Sequence, residues 1–215
     1  MTIEPLDSNA KDFPLGGSQA AAEAFVRFAV TKSSPIHGYS ADNSMYFLGT
    51  YWDEGSAKPK LLGGSEKITI PPGTPILINP ILAVISKDEH PDQFEEDDPP
   101  DQVVMNKTEK VIDGAEGTAL VKIKNDGSIR EYKVKDLQRE KSKGGKKEKM
   151  KINANWPTLR NKSEINACWD GRFLAIKGLE KGSYSITIDA SSPLFGAKNP
   201  RERFVSKLTY EIDVS

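Results

Sequence analysis

Residues 184–190, "YSITIDA", and the closing stretch 207–215, "KLTYEIDVS", decide the fold. In the first, Tyr184, Ile186 and Ile188 alternate with Ser185, Thr187 and Asp189; in the second, Leu208, Tyr210, Ile212 and Val214 alternate with polar residues. A strand points successive side chains to opposite faces, so a period of two gives one apolar face and one wet face. A one-residue slip would turn either apolar set into water, which fixes both registers. Strands of this kind need a second layer on their apolar side, and the expectation is two packed sheets.

Upstream, "GRFLAIKGL" (171–179) leads through "EKGS" into "YSITIDA" and reads as a hairpin, with Asp170-Gly171 as the turn before it. "ALVKIKNDGSIREYKV" (119–134) is a second hairpin about Asp126-Gly127, with an odd Ile129-to-Tyr132 spacing that predicts a bulge or a slipped inward face. "MYFLGTYW" (45–52) reads as an aromatic strand. "EKITI" (66–70) turns at Pro71-Pro72-Gly73 into "TPILINPILAVIS" (74–86), whose apolar run predicts a strand buried on both faces and bulged at Pro80. One stretch has the helical period: "SQAAAEAFVRFAVTKS" (18–33), with Ser18 as N-cap and Ala21, Phe25, Phe28 and Ala29 on one face. The expected architecture is mainly β, an antiparallel β-sandwich of jelly-roll or immunoglobulin-like type with one N-terminal amphipathic helix. Residues 1–17 form a flexible arm before a single domain at 18–215. "KDEHPDQFEEDDPPD" (87–101), with eight carboxylates, and 135–151, the lysine-rich end of 130–151, are expected as mobile charged loops that attract each other weakly.

Composition narrows the function classes. The 215 residues carry a net charge of −1, which gives no field for drawing in nucleic acid or an anionic membrane. The apolar run at 74–86 is too short to span a bilayer. One cysteine cannot close an internal disulfide, and the chain opens without a signal-peptide stretch, so the expected location is cytosolic. No cofactor motif, phosphate loop or metal-ligand spacing is present, and two histidines with one cysteine do not complete a tetrahedral metal site. The lysine cluster lacks the interleaved aromatics that nucleic-acid recognition uses.

In order, "MYFLGTYW", "KITIPPGTPILINPI", "CWDGRFLAIKGLEKGSYSITIDA" and "LTYEIDVS" resemble a family of mostly secreted bacterial proteins without an established reaction. The resemblance covers roughly residues 20–86 and 119–215 and rests on the order of the motifs. It implies a β-sandwich and, for a chain trimmed of its leader, a secreted location. The paired cysteines of that family are absent here.

Cys168 would need a neighbouring base and a cationic setting to act as a nucleophile, and its expected role is a small residue at a strand entrance. Tyr51, Trp52, Trp169, Asp170 and Arg172 are placed at one loop end of the sandwich, joined by His37. Aromatic rings, a carboxylate and a guanidinium suit a small polar or carbohydrate ligand. The expected function is therefore a non-catalytic binding or interaction module. The alternative is a hydrolase or isomerase using an Asp and a His in that cleft. A protein partner docked by the charged loops is a third reading, and the closing strand, taken as a sheet edge, allows either a monomer or a homodimer.

Overall fold

The computed structural model describes residues 4–7, 10, 13–32, 35–50, 61–115, 120–153, 162–193, 195 and 202–215. Among these residues eleven strands form two sheets with two α-helices, so the chain is mainly β and sandwich-like. The strands are β1 (His37–Tyr39), β2 (Tyr46–Leu48), β3 (Leu61–Ile70), β4 (Ile76–Ser86), β5 (Leu120–Asn125), β6 (Ser128–Lys133), β7 (Gln138–Lys141), β8 (Glu148–Lys151), β9 (Glu164–Ile176), β10 (Gly182–Pro193) and β11 (Arg203–Val214). The helices are α1 (Ser18–Ala29) and α2 (Asp101–Asp113).

One sheet runs β3-β11-β10-β5-β6. Its registers put Tyr184 opposite Ile212, Ile186 opposite Tyr210 and Ile188 opposite Leu208, the apolar sets expected from the period of two, and all six side chains are buried. The other sheet runs β1-β2-β4-β9-β7, with β8 also on β9. Tyr46, Leu48, Ile76, Ile78, Leu174 and Ile176 from that sheet meet the first in a shared core.

The expectation of an all-antiparallel sandwich is corrected at two pairs, β2–β4 and β3–β11, which are parallel. The cause is crossing between sheets. From β2 the chain enters the opposite sheet as β3, then returns through Pro71-Pro72-Gly73 as β4 beside β2. Parallel neighbours need such a long crossover. The expected hairpin from "GRFLAIKGL" to "YSITIDA" is a second crossover, because β9 and β10 lie in different sheets. The two crossovers touch: Gly73 N–H donates to Leu179 O at 2.9 Å. A Cβ on Gly178 would stand 1.9 Å from the Gly73 carbonyl carbon.

β4 is buried at almost every position because both faces of its sheet are covered. On the outer face lies α1, with Ala21, Ala22, Phe25, Val26 and Ala29 against Phe47, Leu77, Trp169 and Phe173. The inner face is shared. The first sheet covers Ile76 and Ile78, and α2 covers Ile81, Ala83 and Ile85. Inward residues are even-numbered before Pro80 and odd-numbered after it, and the change of phase is a bulge between Ile78 and Ile81. Asn79 Nδ2 donates to Ile81 O at 3.0 Å and to Arg172 O at 2.9 Å, bridging the place where Pro80 has no N–H to give.

Several local expectations change. Ser18 is the first residue of α1, its N-cap is Gly17 without a side-chain bond, and Ser18 Oγ donates to Glu140 Oε1 instead. Asp170-Gly171 continues β9 rather than turning. The register of β5 with β6 is unbroken, so there is no bulge; Ile129 simply faces outward, 55% exposed. The turn between them is left-handed at Asp126 and Gly127, as a tight Asp-Gly hairpin demands. β11 lies between β3 and β10, so the closing strand is no sheet edge on which to pair a second copy. The 135–151 segment expected as loop carries β7 and β8, both paired with β9; the departures from strand are a 3-10 turn at Val134–Asp136 before β7 and the excursion between the strands, with Gly144 and Gly145 at positive φ. Its Lys147 reaches Asp98 at 2.5 Å, so the two charged segments do meet. In the N-terminal arm, Leu6 N–H donates to Ala175 O, and Phe13 is buried.

Candidate functional site

The residues expected at one ligand rim separate in space. Trp169 and Asp170 are adjacent on β9 and therefore point to opposite faces, both fully buried. Trp169 lies under α1, where its Nε1–H donates to Glu148 Oε1 at 3.1 Å, and Glu148 in turn pairs with Arg27 of α1. Asp170 faces α2. Arg139 Nε lies 3.0 Å and Nη2 2.5 Å from Asp170 Oδ2, and Arg139 Nη1 donates to Asp113 Oδ1 at 2.6 Å. Burial pushes the Asp170 carboxyl up from the usual carboxylate range, opposed by the Arg139 guanidinium, whose own pKa the pairing raises. The two-pronged bond to the guanidinium favours the charged form and so works against that burial. Arg172 is half-buried on β9, beside Ile81 of β4. Tyr51 and Trp52 lie outside the described residues.

Cys168 is buried beneath α2, its Sγ facing the backbone carbonyls of Asp101 (3.8 Å) and Gly145 (3.9 Å). Burial, helped by Asp101, pushes its pKa up to about 12, the opposite of what an activated thiol needs. His90 stacks edge-on to Phe195 and is 3.9 Å from Glu89, beyond a hydrogen bond, and burial lowers its pKa. Among the described residues no cluster of three or more His, Cys, Asp or Glu side chains is placed to hold a metal ion. No described helix is long and apolar enough to cross a membrane.

His37 stands apart from these. It sits on β1, an edge of one sheet, and pairs with Leu48. The hairpin carrying it is built by Asp42, whose Oδ1 accepts from Ser40 Oγ, Ser44 Oγ and the Ser44 N–H, while Ser40 N–H donates to Met45 O. Gly38, at φ +148°, faces α1, where a Cβ would come within 2.9 Å of the Phe28 ring. His37 and Tyr39 therefore project to the inner face with Tyr46 and Leu48. The His37 Nδ1 is 3.1 Å from the Tyr46 hydroxyl. Its ring lies edge-on to Tyr210 with centroids 5.9 Å apart, and Tyr39 meets Tyr46 edge-on at 4.8 Å. Tyr210 holds the opposing sheet to this corner, its hydroxyl 2.8 Å from Gly49 O and 3.2 Å from Ile36 O. Burial pushes the Tyr46 hydroxyl up to about 12.

The edge of the facing sheet, β3, lies beside β11, and Glu66 pairs with Tyr210. Directly paired residues share a face, so Glu66 follows Ile68 and Ile70 onto the inner side; it is half-buried at the sheet edge. His37, Tyr39, Tyr46 and Tyr210 thus form one aromatic cluster at the β1 edge, and Glu66 lies on the neighbouring strand to Tyr210. Of the six residues expected at the rim, the structure keeps His37 here. Tyr39, Tyr46 and Glu66 were missed. Glu66 had a legible signal, as the one charged residue in phase with Ile68 and Ile70.

No family model matches the chain, and no curated protein matches it. Among solved structures, similarity is found to PbICP-C in its complex with falcipain-2, at 12% identity over 79% of this chain and 98% of that chain, with a TM-score of 0.28. A second is the solution structure of amebosin, at 12% identity over 72% of this chain and 99% of that one, with a TM-score of 0.20. Neither similarity is strong enough to carry a conclusion about fold or function.

Proposed function

We propose that the protein is a non-catalytic binding module whose recognition surface is the β1–β3 side of the sandwich and whose ligand is small and polar. The observation that carries this reading is the placement of His37, Tyr39 and Glu66, half-buried on the inner faces of two facing sheet edges. The other chemically capable groups, Cys168 and Asp170, are enclosed beneath α2 and structurally engaged. A ligand surface of this kind combines apolar rings with a few polar groups that fix orientation. Membership of the secreted bacterial family rests on motif order and is part of the same proposal.

The rival, a hydrolase or isomerase with a histidine and a carboxylate, would use His37 and Glu66. His37 hydrogen-bonds to Tyr46 and not to a carboxylate among the described residues, which favours binding over acid–base catalysis. The test is a thermal-shift screen of the full chain with saccharides, dicarboxylates and inorganic anions, repeated on His37→Ala and Tyr39→Ala. A ligand at a hundredfold excess over Kd adds about 2.7 kcal/mol, which is several degrees for a chain of this size. Loss of that shift in either variant supports the reading; a shift that survives in both places the binding surface elsewhere.

A further inference from the structure

We infer that the end of β9 is a strand-addition site that takes the N-terminal segment Glu4–Leu6 of a second copy, so that two chains exchange arms at high concentration. The site is defined by this chain's own arm, which fills it. β4 occupies one side of Ala175 and Ile176, and β7, on the other side, stops at Phe173. The arm takes the lane left beyond β7. Pro5 bridges Ile176 antiparallel, Leu6 N–H donates to Ala175 O at 2.9 Å, and Lys177 N–H donates to Glu4 O at 3.0 Å. Glu4 Oε2 also meets Lys177 Nζ at 2.5 Å. Lys177, with Arg130 of the facing sheet adding to it, holds the Glu4 carboxyl below the usual carboxylate range.

Every copy of the chain carries the same segment and makes the same bonds with it. The hold within one chain is light: two backbone hydrogen bonds, an ion pair between exposed side chains, and a half-buried Leu6 on the face it shares with Ala175. Chain ends held this way open locally while the rest stays folded. The next firm anchor is Phe13, buried beside α1. Between the two the chain is wound, since Ala10 N–H donates to Asp7 O and Phe13 N–H to Ala10 O, and straightening these turns gives the arm reach. Simple edge pairing is not the route. Residues 4 and 6 bond to β9, so residue 5 turns its backbone away, and a proline there has no N–H to offer a further strand. A second copy must therefore take the arm's place rather than lie beside it. Exchanged and internal contacts are identical, so the balance is set by protein concentration against the effective concentration of the internal arm, about millimolar for a short tether.

The test mixes equal amounts of heavy-isotope and natural-abundance full chain and adds a carbodiimide, which joins ion-paired carboxylates and amines without a spacer. Mass spectrometry of the Glu4–Lys177 cross-linked peptide then shows whether its two halves came from one chain. At micromolar protein the halves should match in isotope. Near millimolar protein, mixed pairs should approach the proportion of random pairing, together with a dimer in sedimentation. Leu6→Pro removes the N–H that bonds to Ala175 O, and should lose both the cross-link and the dimer while keeping the parental circular dichroism. Unmixed pairs at every concentration would show that the arm stays on its own chain and would overturn the exchange. Absence of the cross-link in the parent chain would overturn the docking itself, and a dimer that survives Leu6→Pro would place the contact between copies elsewhere.

Discussion

Arg139→Met tests how the second layer over the inner sheet is held. Asp170 has no exposed side-chain surface, and Arg139 is its ion-pair partner. The second arm of Arg139 reaches Asp113, which is 57% exposed and contributes little through a solvent-screened pair. The loss is therefore dominated by stranding a buried carboxylate, which costs about 3–5 kcal/mol. For a chain of this size that is on the order of 10 °C in Tm. The loss has a sign in pH. Without Arg139, burial acts unopposed and pushes the folded-state pKa of Asp170 further above its unfolded value. A raised carboxyl favours the folded state while protonated, and this contribution disappears as pH rises through the folded pKa. The variant's deficit should thus be largest near neutral pH and shrink as pH falls toward and below the folded-state pKa. Asp170→Leu in the Arg139→Met background should recover much of it, because an apolar pair of similar volume can replace a buried ion pair. The measurements are urea unfolding by circular dichroism at neutral and mildly acidic pH. A deficit below about 1 kcal/mol, or one that does not depend on pH, would refute the assignment of Arg139 as the counter-charge.

Gly178→Ala should cost several kcal/mol or abolish soluble expression, because its Cβ would overlap the Gly73 backbone rather than a movable side chain; a parental Tm would show that the crossovers are not in contact. Ile186→Ala should lose about 2–5 kcal/mol from a fully buried site, whereas Ile129→Ala should stay within about 0.5 kcal/mol; equal losses in denaturant titration would contradict the assignment of inner and outer faces. Cys168 should resist a disulfide-exchange reagent at pH 8 in the native chain and react promptly in denaturant, since it is buried with its pKa pushed up to about 12. Rapid native labelling would mean that α2 does not cover it.

Much of the fold was legible where burial is one-sided. In β10 and β11 the period of two names the inner residues without ambiguity, and the same holds for Ile68 and Ile70. β4 was legible for another reason: an apolar run of strand length with a proline inside it implies two covered faces and a bulge. α2 was missed although Val104, Met105, Thr108 and Ile112 fall at helical spacing, because the acidic run and Pro99-Pro100 before it mark a loop so strongly. The lysine-rich segment misled similarly. Its exposed side chains are those of an edge strand with one solvent face, a pattern that composition alone does not separate from loop. The expected rim failed at Trp169 and Asp170 because a polar or amphipathic residue reads as exposed until a helix is known to lie over it.

The sequence by itself determined which side chains share a face, since alternation is a property of the extended backbone and needs no partner. It determined that two layers must meet, because strands with one apolar face are not stable in water alone. Which strands became neighbours was decided by tertiary structure. Crossing from sheet to sheet costs little locally and leaves no mark on the pattern, yet it made β3 parallel to β11 and carried β9 away from β10. The same packing moved Trp169 and Asp170 under helices and brought His37 of one sheet against Tyr210 of the other. Proximity of that kind depends on how whole sheets stack, which no local run of residues encodes.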